Sequence, residues 1–260
     1  MDDSLREDFE RDGFVVFDPG IPAETLSDAV TDLDGEFKPP SEPPKRTLFR
    51  RLSERLGRSP YGPFAYRDSV RIQDAWKVSS AVKEIARAPA VLDLLREFYG
   101  REPLPFQTLN FRVGTQQEPH SDAFHFNSDP PGFMCGVWVA LEDIDEASGP
   151  LVYFAGSHRL PEVTTAEVPM APTEEEYGKY ESYVDEQISR NGFEPRLGLL
   201  KKGQALLWSS NLLHGGSPRQ DLGRTRHSQV THYYFEGCRY WTPKLSATGN
   251  MHLRNPKFIT

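Results

Sequence analysis

The chain has little of the features that would mark it as secreted or membrane-bound. It carries only 2 cysteines in 260 residues, too few for the disulfide framework of a small secreted domain. No apolar run approaches the roughly 20 residues of a membrane span. The first residues, MDDSLREDFERDG, are charged and do not form the apolar stretch of a signal peptide. We therefore expect a cytoplasmic protein with reduced thiols and no membrane partner.

A concentrated positive charge is also missing. The chain has 30 Lys+Arg against 38 Asp+Glu, a net charge of −8, and its basic residues form no long block. Nucleic-acid binding needs a basic surface that neutralises phosphates. We therefore expect no nucleic-acid partner, and an enzyme that demethylates nucleic acid is disfavoured.

The apolar content is sufficient for one large domain over residues 1–260, with 37% hydrophobic and 12% aromatic residues. Residues 1–103 carry mainly helical periodicity, including a stretch split near Pro89 and ended by Gly100. Between 104 and 240, short apolar or alternating segments separated by Gly, Pro, Asn and Asp predict strands. We expect helices packed on one side of a double-sheet β core.

The predicted core is interrupted by an insertion at 160–196. Its helix, 173–192, has a predicted capping box of Thr173 and Glu176. An apolar stripe along this helix requires burial against another surface, and it consists of Tyr177, Tyr180, Val184 and Ile188. We predict a lid over the substrate; a permanently docked surface helix is the alternative.

The segment EPHSDAFHF, residues 118–126, contains two histidines and an aspartate. Residues i and i+2 of a strand share a face, so His120 and Asp122 can present two ligands to one point. His214, in NLLHGG, follows another predicted strand and can supply a third. Two histidines and one carboxylate form the facial triad of non-haem Fe(II) oxygenases. An isolated H-x-D is more often a solvated loop, so the argument depends on the three residues together.

Arg226 stands 12 residues after His214 and opens an alternating segment, RHSQVTHYYF. A buried arginine at this place can hold a dicarboxylate through two parallel hydrogen bonds. Arg224 shares its strand parity and is the rival candidate, although the turn around Gly223 favours exposure of Arg224.

Several segments together resemble the phytanoyl-CoA dioxygenase family of Fe(II)/2-oxoglutarate-dependent oxygenases. The resemblance extends over most of residues 8–240 and is weakest at 38–75, at 160–195 and in the last 20 residues. It is carried by FERDGFVVF, HSDAFHF, GVWVALEDIDEASGPLVYFAGSH, LLWSSNLLHGG and RHSQVTHYYF.

The resemblance implies a mainly β fold with flanking helices and a double-stranded β-helix core, the jelly-roll of cupin-like proteins. It implies Fe(II), 2-oxoglutarate and O2 as cofactor and co-substrates. It makes His120, Asp122 and His214 the metal ligands and Arg226 the partner of the distal carboxylate of 2-oxoglutarate. Trp138 matches a family position that lines the co-substrate pocket, and Gln107 resembles a polar position near the co-substrate or the substrate.

The resemblance also implies the reaction, oxidation of an unactivated C–H bond coupled to conversion of 2-oxoglutarate to succinate and CO2. No catalytic residue beyond the metal ligands is expected. Because the chain keeps the carboxylate of Asp122, where halogenating members have a small residue, hydroxylation or a related oxidation is favoured. We expect a small or medium metabolite as substrate, of the kind handled in natural-product biosynthesis. One departure is Gly216, where the family often has a hydroxyl; Ser217 or another donor would have to replace it.

Three residues are candidates for the substrate wall, and each has a structural alternative. His125 and Phe126 follow the metal motif, although Phe124 and Phe126 also suit a core. Arg112 can reach a substrate carboxylate, but a surface ion pair is its ordinary role. We predict that His232, which alternates with apolar residues, is a core or surface histidine.

A non-catalytic metal-binding jelly roll, with a ligand-binding or sensory role, is the alternative function. The same triad would serve such a module. Arg226 discriminates the two, because a binding module does not need an anchor for a dicarboxylate behind its metal.

Overall fold

The computed structural model describes residues 3–37, 71–170, 174–246 and 250–260. The proline-rich segment PPSEPPKR (39–46), whose composition predicts an exposed loop, therefore lies outside the described residues, as does the cap residue Thr173. Helix α4 (Pro89–Tyr99) begins at a proline, whose missing N–H has no role in a first helical turn, and is followed by its C-cap residue Gly100, with φ of 65°. The described helices are α1 (Asp3–Asp12), α2 (Ala23–Thr31), α3 (Ser80–Ala86), α4 (Pro89–Tyr99) and α5 (Glu174–Asn191).

The strands form three antiparallel sheets. The larger sheet has the order β1-β8-β5-β10-β3-β2, and the smaller ones have the orders β7-β6-β9 and β12-β11-β4. The strands are β1 (Phe14–Phe17), β2 (Arg71–Gln73), β3 (Pro103–Phe111), β4 (Asn127–Asp129), β5 (Met134–Ala140), β6 (Leu151–Phe154), β7 (Pro195–Leu197), β8 (Ala205–Ser209), β9 (His214–Gly216), β10 (Ser228–Phe235), β11 (Arg239–Trp241) and β12 (Leu253–Arg254).

The six-stranded sheet separates two apolar cores. One face, which includes Val137 and Val139, packs with Ile85 and Leu95 of the helices. The other face includes Trp138 and packs against β6. Alternate residues of one strand thus enter different cores, as the pleat requires. The expected helical layer on one side of a double-sheet core is confirmed.

The N-terminal part also contributes two strands to the largest sheet. Strand β1 pairs with β8 at one edge, and β2 pairs with β3 at the other. No helix among the described residues has both the length and the apolar character needed to cross a membrane.

Candidate active site

Backbone pairing brings two of the predicted metal ligands together. His120 N donates to His214 O at 2.8 Å, and His214 N donates to His120 O at 3.0 Å. The glycine after His214 makes this approach possible, since a Cβ on Gly215 would lie 2.6 Å from Gln117 O. The sequence HGG therefore lets β9 lie directly against the loop that carries His120.

Asp122 reaches the same point by a different route from the one expected. It does not continue a strand from His120 but begins a 3-10 turn, Asp122–Phe124. Ser121 caps this turn, with its side chain accepting a hydrogen bond from Ala123 N. One ligand atom from each of His120, Asp122 and His214 lies within 4.8 Å of the others. The turn, rather than strand alternation, sets the spacing.

Both histidines are oriented through their Nδ1 atoms. His120 Nδ1 lies 3.0 Å from Glu118 O, and His214 Nδ1 lies 2.9 Å from Leu212 O. A carbonyl only accepts, so each Nδ1 carries the proton and each Nε2 presents a lone pair. The Nε2 atoms lie 3.9 Å and 3.8 Å from the carboxylate oxygens of Asp122. Two imidazole lone pairs and a carboxylate are a donor set suited to a divalent transition metal.

The carboxylate of Asp122 is buried and held from the protein side. Trp208 Nε1 donates to its Oδ2 at 2.8 Å. Burial alone would raise the pKa of Asp122, but the positive charge that His214, His232 and His120 carry when protonated outweighs it and holds this pKa well below its ordinary value. The group is therefore an anion at neutral pH, as metal coordination requires.

Arg226 is a buried cation just before β10, and 2% of it is exposed. Its guanidinium lies 5.3 Å from the centre of the Trp138 ring and 5.6 Å from that of Phe111. The ion pairs of the described residues do not include Arg226, and its Nε has no hydrogen-bond partner among these residues. Burial lowers the pKa of Arg226 to about 10, and the negative charge of Glu142 opposes this shift. A buried charge without a partner costs several kcal/mol, so this site is suited to an anion.

The triad and Arg226 face one cavity of about 210 Å³. Its wall includes the predicted co-substrate residues Trp138 and Gln107 and the predicted substrate residues His125 and Phe126. The remaining wall is rich in polar side chains: Arg71, Gln73, Thr115, Gln117, His232 and Lys244.

The family model described as "Phytanoyl-CoA dioxygenase (PhyH)" matches residues 9–227. The chain belongs to the phytanoyl-CoA dioxygenase family. Phytanoyl-CoA dioxygenase domain-containing protein 1 of Danio rerio is 26% identical over 191 residues, which are 68% of this chain and 61% of that protein. The peroxisomal phytanoyl-CoA dioxygenase of Rattus norvegicus is 22% identical over 260 residues, 95% of this chain and 72% of that protein. The chain thus covers less than two thirds of the Danio rerio relative.

Solved structures share the fold. EctD from S. alaskensis, with 2-oxoglutarate and 5-hydroxyectoine, has a TM-score of 0.64 and 19% identity, covering 99% of this chain and 85% of EctD. The epimerase SnoN, in complex with Fe3+, alpha ketoglutarate and nogalamycin RO, has a TM-score of 0.63 and 18% identity, covering 99% and 98%. The predicted jelly-roll core of this phytanoyl-CoA dioxygenase family member is confirmed.

Two other candidate site residues, the rival arginine Arg224 and the substrate-wall candidate Arg112, are on the surface. Arg224 is exposed and pairs with Asp145 at 2.6 Å. Arg112 is also exposed, and its guanidinium lies 3.8 Å from Asp34. Arg112 directly follows β3 and does not line the described cavity, and the surface ion pair is the arrangement that the structure has.

His232 is a residue of the site that its pattern in the sequence did not indicate. It is 3% exposed, lines the cavity, and its Nε2 lies 3.4 Å from Asp122 Oδ2. Its Nδ1 lies 3.0 Å from Gln107 Oε1. The alternation of the predicted segment 226–235 could have indicated this position, because residues 226, 230 and 232 of one extended segment share a face. Trp208 was missed for another reason, since its core position conceals its hydrogen bond to Asp122.

The insertion helix α5 packs against residues 118–126, the segment that carries His120 and Asp122 and is called the metal loop below. Its predicted stripe is confirmed for Tyr177, Tyr180 and Val184, which are buried, while Ile188 is half-buried. Tyr177 Oη lies 2.9 Å from His125 Nε2. Helix α5 therefore covers the side of the cavity that carries His125.

Proposed function

We propose that this chain is an Fe(II)- and 2-oxoglutarate-dependent oxygenase that hydroxylates, or otherwise oxidises, an unactivated C–H bond of a small or medium metabolite. The observation that carries the proposal is the cavity shared by the triad and Arg226. A metal triad alone would serve many proteins. A buried, unpaired guanidinium facing the same space supports a co-substrate with both a metal-chelating end and a distal carboxylate.

The residues present fit both groups. His120, Asp122 and His214 would hold Fe(II), since their free donor atoms converge and their opposite sides are fixed by carbonyls and by Trp208. Arg226 would hold the distal carboxylate of 2-oxoglutarate against the ring of Trp138. When bound, the iron and 2-oxoglutarate supply the activation of O2. The protein holds the two groups in fixed relation, orients the substrate and limits water in the cavity.

Thr115 supports this assignment of the co-substrate side. The family hydroxyl that Gly216 lacks is not replaced by Ser217, whose hydroxyl donates to Pro150 O at 2.9 Å. A Cβ on Gly216 would instead lie 2.5 Å from Thr115 Oγ1, and Thr115 lines the cavity. The hydroxyl of Thr115 thus occupies the space that a side chain at 216 would fill, and we propose it as the replacement donor.

The chemistry of the wall supports a polar metabolite over a long hydrocarbon chain. Beyond the metal ligands, the described wall combines apolar side chains such as Leu109 and Val230 with amide, imidazole and ammonium groups from Gln73, Gln107, His125 and Lys244. A polar metabolite can form hydrogen bonds with such groups, which a hydrocarbon chain cannot do. EctD and SnoN, which have the same fold, are described with 5-hydroxyectoine and nogalamycin RO, both small molecules.

We further propose that the chain acts as one domain, that residues 160–196 act as a lid, and that the protein is cytoplasmic. The core that helices and sheet share supports a single domain. The position of α5 over the metal loop supports a lid. Free thiols at Cys135 and Cys238 are consistent with a reducing compartment.

Succinate release tests the proposed activity. The protein is loaded with Fe(II) and 2-oxoglutarate without oxygen, and air is then admitted. We expect succinate in proportion to 2-oxoglutarate consumed, even without substrate, and faster release when a screened metabolite is the substrate. Iron binding without any succinate, with every metabolite tested, would favour the non-catalytic metal-binding module.

A further inference from the structure

Helix α5 reaches the peptide between two metal ligands. Tyr180 is 1% exposed, and its Oη accepts a hydrogen bond from Ser121 N at 2.8 Å. Ser121 lies between His120 and Asp122 in the chain. The Tyr180 ring also stacks on Phe124 at a centroid distance of 4.0 Å and an angle of 6°. One side chain of the insertion thus contacts both the middle of the metal loop and the end of its 3-10 turn.

The other hydrogen bonds of Ser121 show that Tyr180 has no substitute. The Ser121 hydroxyl donates to Asn211 Oδ1 at 2.9 Å and accepts from Ala123 N at 3.2 Å. Asn211 in turn donates to Leu160 O at 2.6 Å. These bonds fix the side chain of Ser121, whereas its backbone N–H, in a residue that is 5% exposed, is bonded to Tyr180. Without the phenol oxygen, a buried N–H would be left to find another orientation.

We propose that Tyr180 is a positioning residue of the metal centre, which holds the Ser121 peptide and thereby sets the spacing of the His120 and Asp122 donor atoms. The inference rests on the proposed metal site. A rotation of this peptide would change the direction of both flanking side chains, because only one residue separates them. The insertion is then a part of the metal centre, and any movement of the 160–196 segment that displaces Tyr180 changes the affinity for the metal.

Two phenylalanine variants of the same helix test this role, with Co(II) as the probe. Tyr180→Phe removes only the phenol oxygen and keeps the ring that stacks on Phe124. Tyr183→Phe is the matched control, since Tyr183 lies in the same apolar cluster and its phenol forms no hydrogen bond with a described residue. The measurements are the Co(II) dissociation constant, the visible absorption of bound Co(II) and the thermal unfolding of the metal-free proteins.

We expect Tyr180→Phe to weaken Co(II) binding by about tenfold, the lower end of what residues supporting metal ligands contribute, and to alter the Co(II) spectrum. Tyr183→Phe should match the wild type in both. If Tyr180→Phe lowers the unfolding temperature but keeps the wild-type Co(II) affinity and spectrum, Tyr180 only packs, and the inference is wrong while the metal site stands. Absence of Co(II) binding by the wild type would overturn the metal site and this inference together.

Discussion

The segment formed by Arg226, His227 and strand β10 has two faces whose buried polar groups differ. On the helix side, buried polar groups are paired: Gln229 Nε2 donates to Val82 O at 3.0 Å, and Tyr233 Oη donates to Ala86 O at 2.8 Å. On the cavity side, Arg226 is equally buried, yet its Nε has no partner among the described residues, and neither does the indole nitrogen of neighbouring Trp138.

This difference in the pairing of buried polar groups indicates that one face of the segment contributes to stability and the other to function. Polar groups paired with the carbonyls of α3 fix the helices on the sheet and need nothing further. A cation with no anionic partner destabilises the free protein and is useful only when a ligand supplies the charge. The cavity side is therefore where substitution should change binding, and the helix side is where it should change folding.

The largest effect is expected on the cavity side, at the metal. His214→Ala removes one of three metal ligands, so iron binding and succinate production should be abolished while the far-ultraviolet circular dichroism spectrum stays that of the wild type. Full iron affinity in this variant, measured by equilibrium dialysis, would show that the triad is wrongly assigned.

Arg226→Met should separate binding from folding. We expect the 2-oxoglutarate concentration required for half-maximal succinate release to rise by a factor on the order of 100, since losing one partner of a buried charge pair costs roughly 2–5 kcal/mol. The surface variant Arg224→Met is the control and should change little.

Although Arg226→Met should weaken 2-oxoglutarate binding, it should not lower the free energy of unfolding. The pKa of Arg226 in the folded protein, about 10, lies below its ordinary value, so the buried charge destabilises the fold at every pH below about 10 and this cost fades as the pH rises above it. Near neutral pH, Arg226→Met should leave the metal-free protein as stable as the wild type or up to about 2 kcal/mol more stable. Urea unfolding measures this, and a clear destabilisation would mean that the guanidinium has a partner in the free protein.

Tyr233→Phe should have the reverse profile on the helix side. It leaves the Ala86 carbonyl without its phenol partner, so we expect a loss of about 1–3 kcal/mol in the free energy of unfolding. The Co(II) dissociation constant should not change. An altered metal affinity would show that the two faces of the sheet are coupled and that the helix side does not govern folding alone.

The smallest effect concerns the lid. Hydrogen exchange of residues 160–196 should slow modestly when Fe(II), 2-oxoglutarate and substrate are bound, mainly in the segments that flank α5. The backbone of α3, on the helix side of the sheet, is the internal control and should not respond. Equal, high protection of 160–196 in all states would indicate a fixed helix and no lid.

The fold and the triad could be predicted because both depend on local signals. Alternating segments bounded by Gly and Pro gave the strands, and the change of period near residue 104 gave the boundary between helices and core. The ligand set was found from residue type and position, although the local geometry was wrong, since a 3-10 turn and not a strand carries Asp122.

The supporting residues of the site could not be predicted in the same way. Trp208, His232 and Tyr180 look like ordinary core residues in the sequence. Their roles depend on contacts between segments that are distant in the chain, 86 residues for Trp208 to Asp122 and 59 for Tyr180 to Ser121. Strand parity could have placed His232 on the cavity face, but no local pattern indicates which loop faces Tyr180.

The central claim is that Arg226 awaits the distal carboxylate of a co-substrate bound at the metal. It is tested most directly by calorimetric titration of 2-oxoglutarate and of 2-oxopentanoate, which has no distal carboxylate, into oxygen-free Fe(II)-loaded wild type and Arg226→Met. We expect the wild type to prefer 2-oxoglutarate by about 100-fold and Arg226→Met to lose most of that preference. An equal preference in both proteins would contradict the claim.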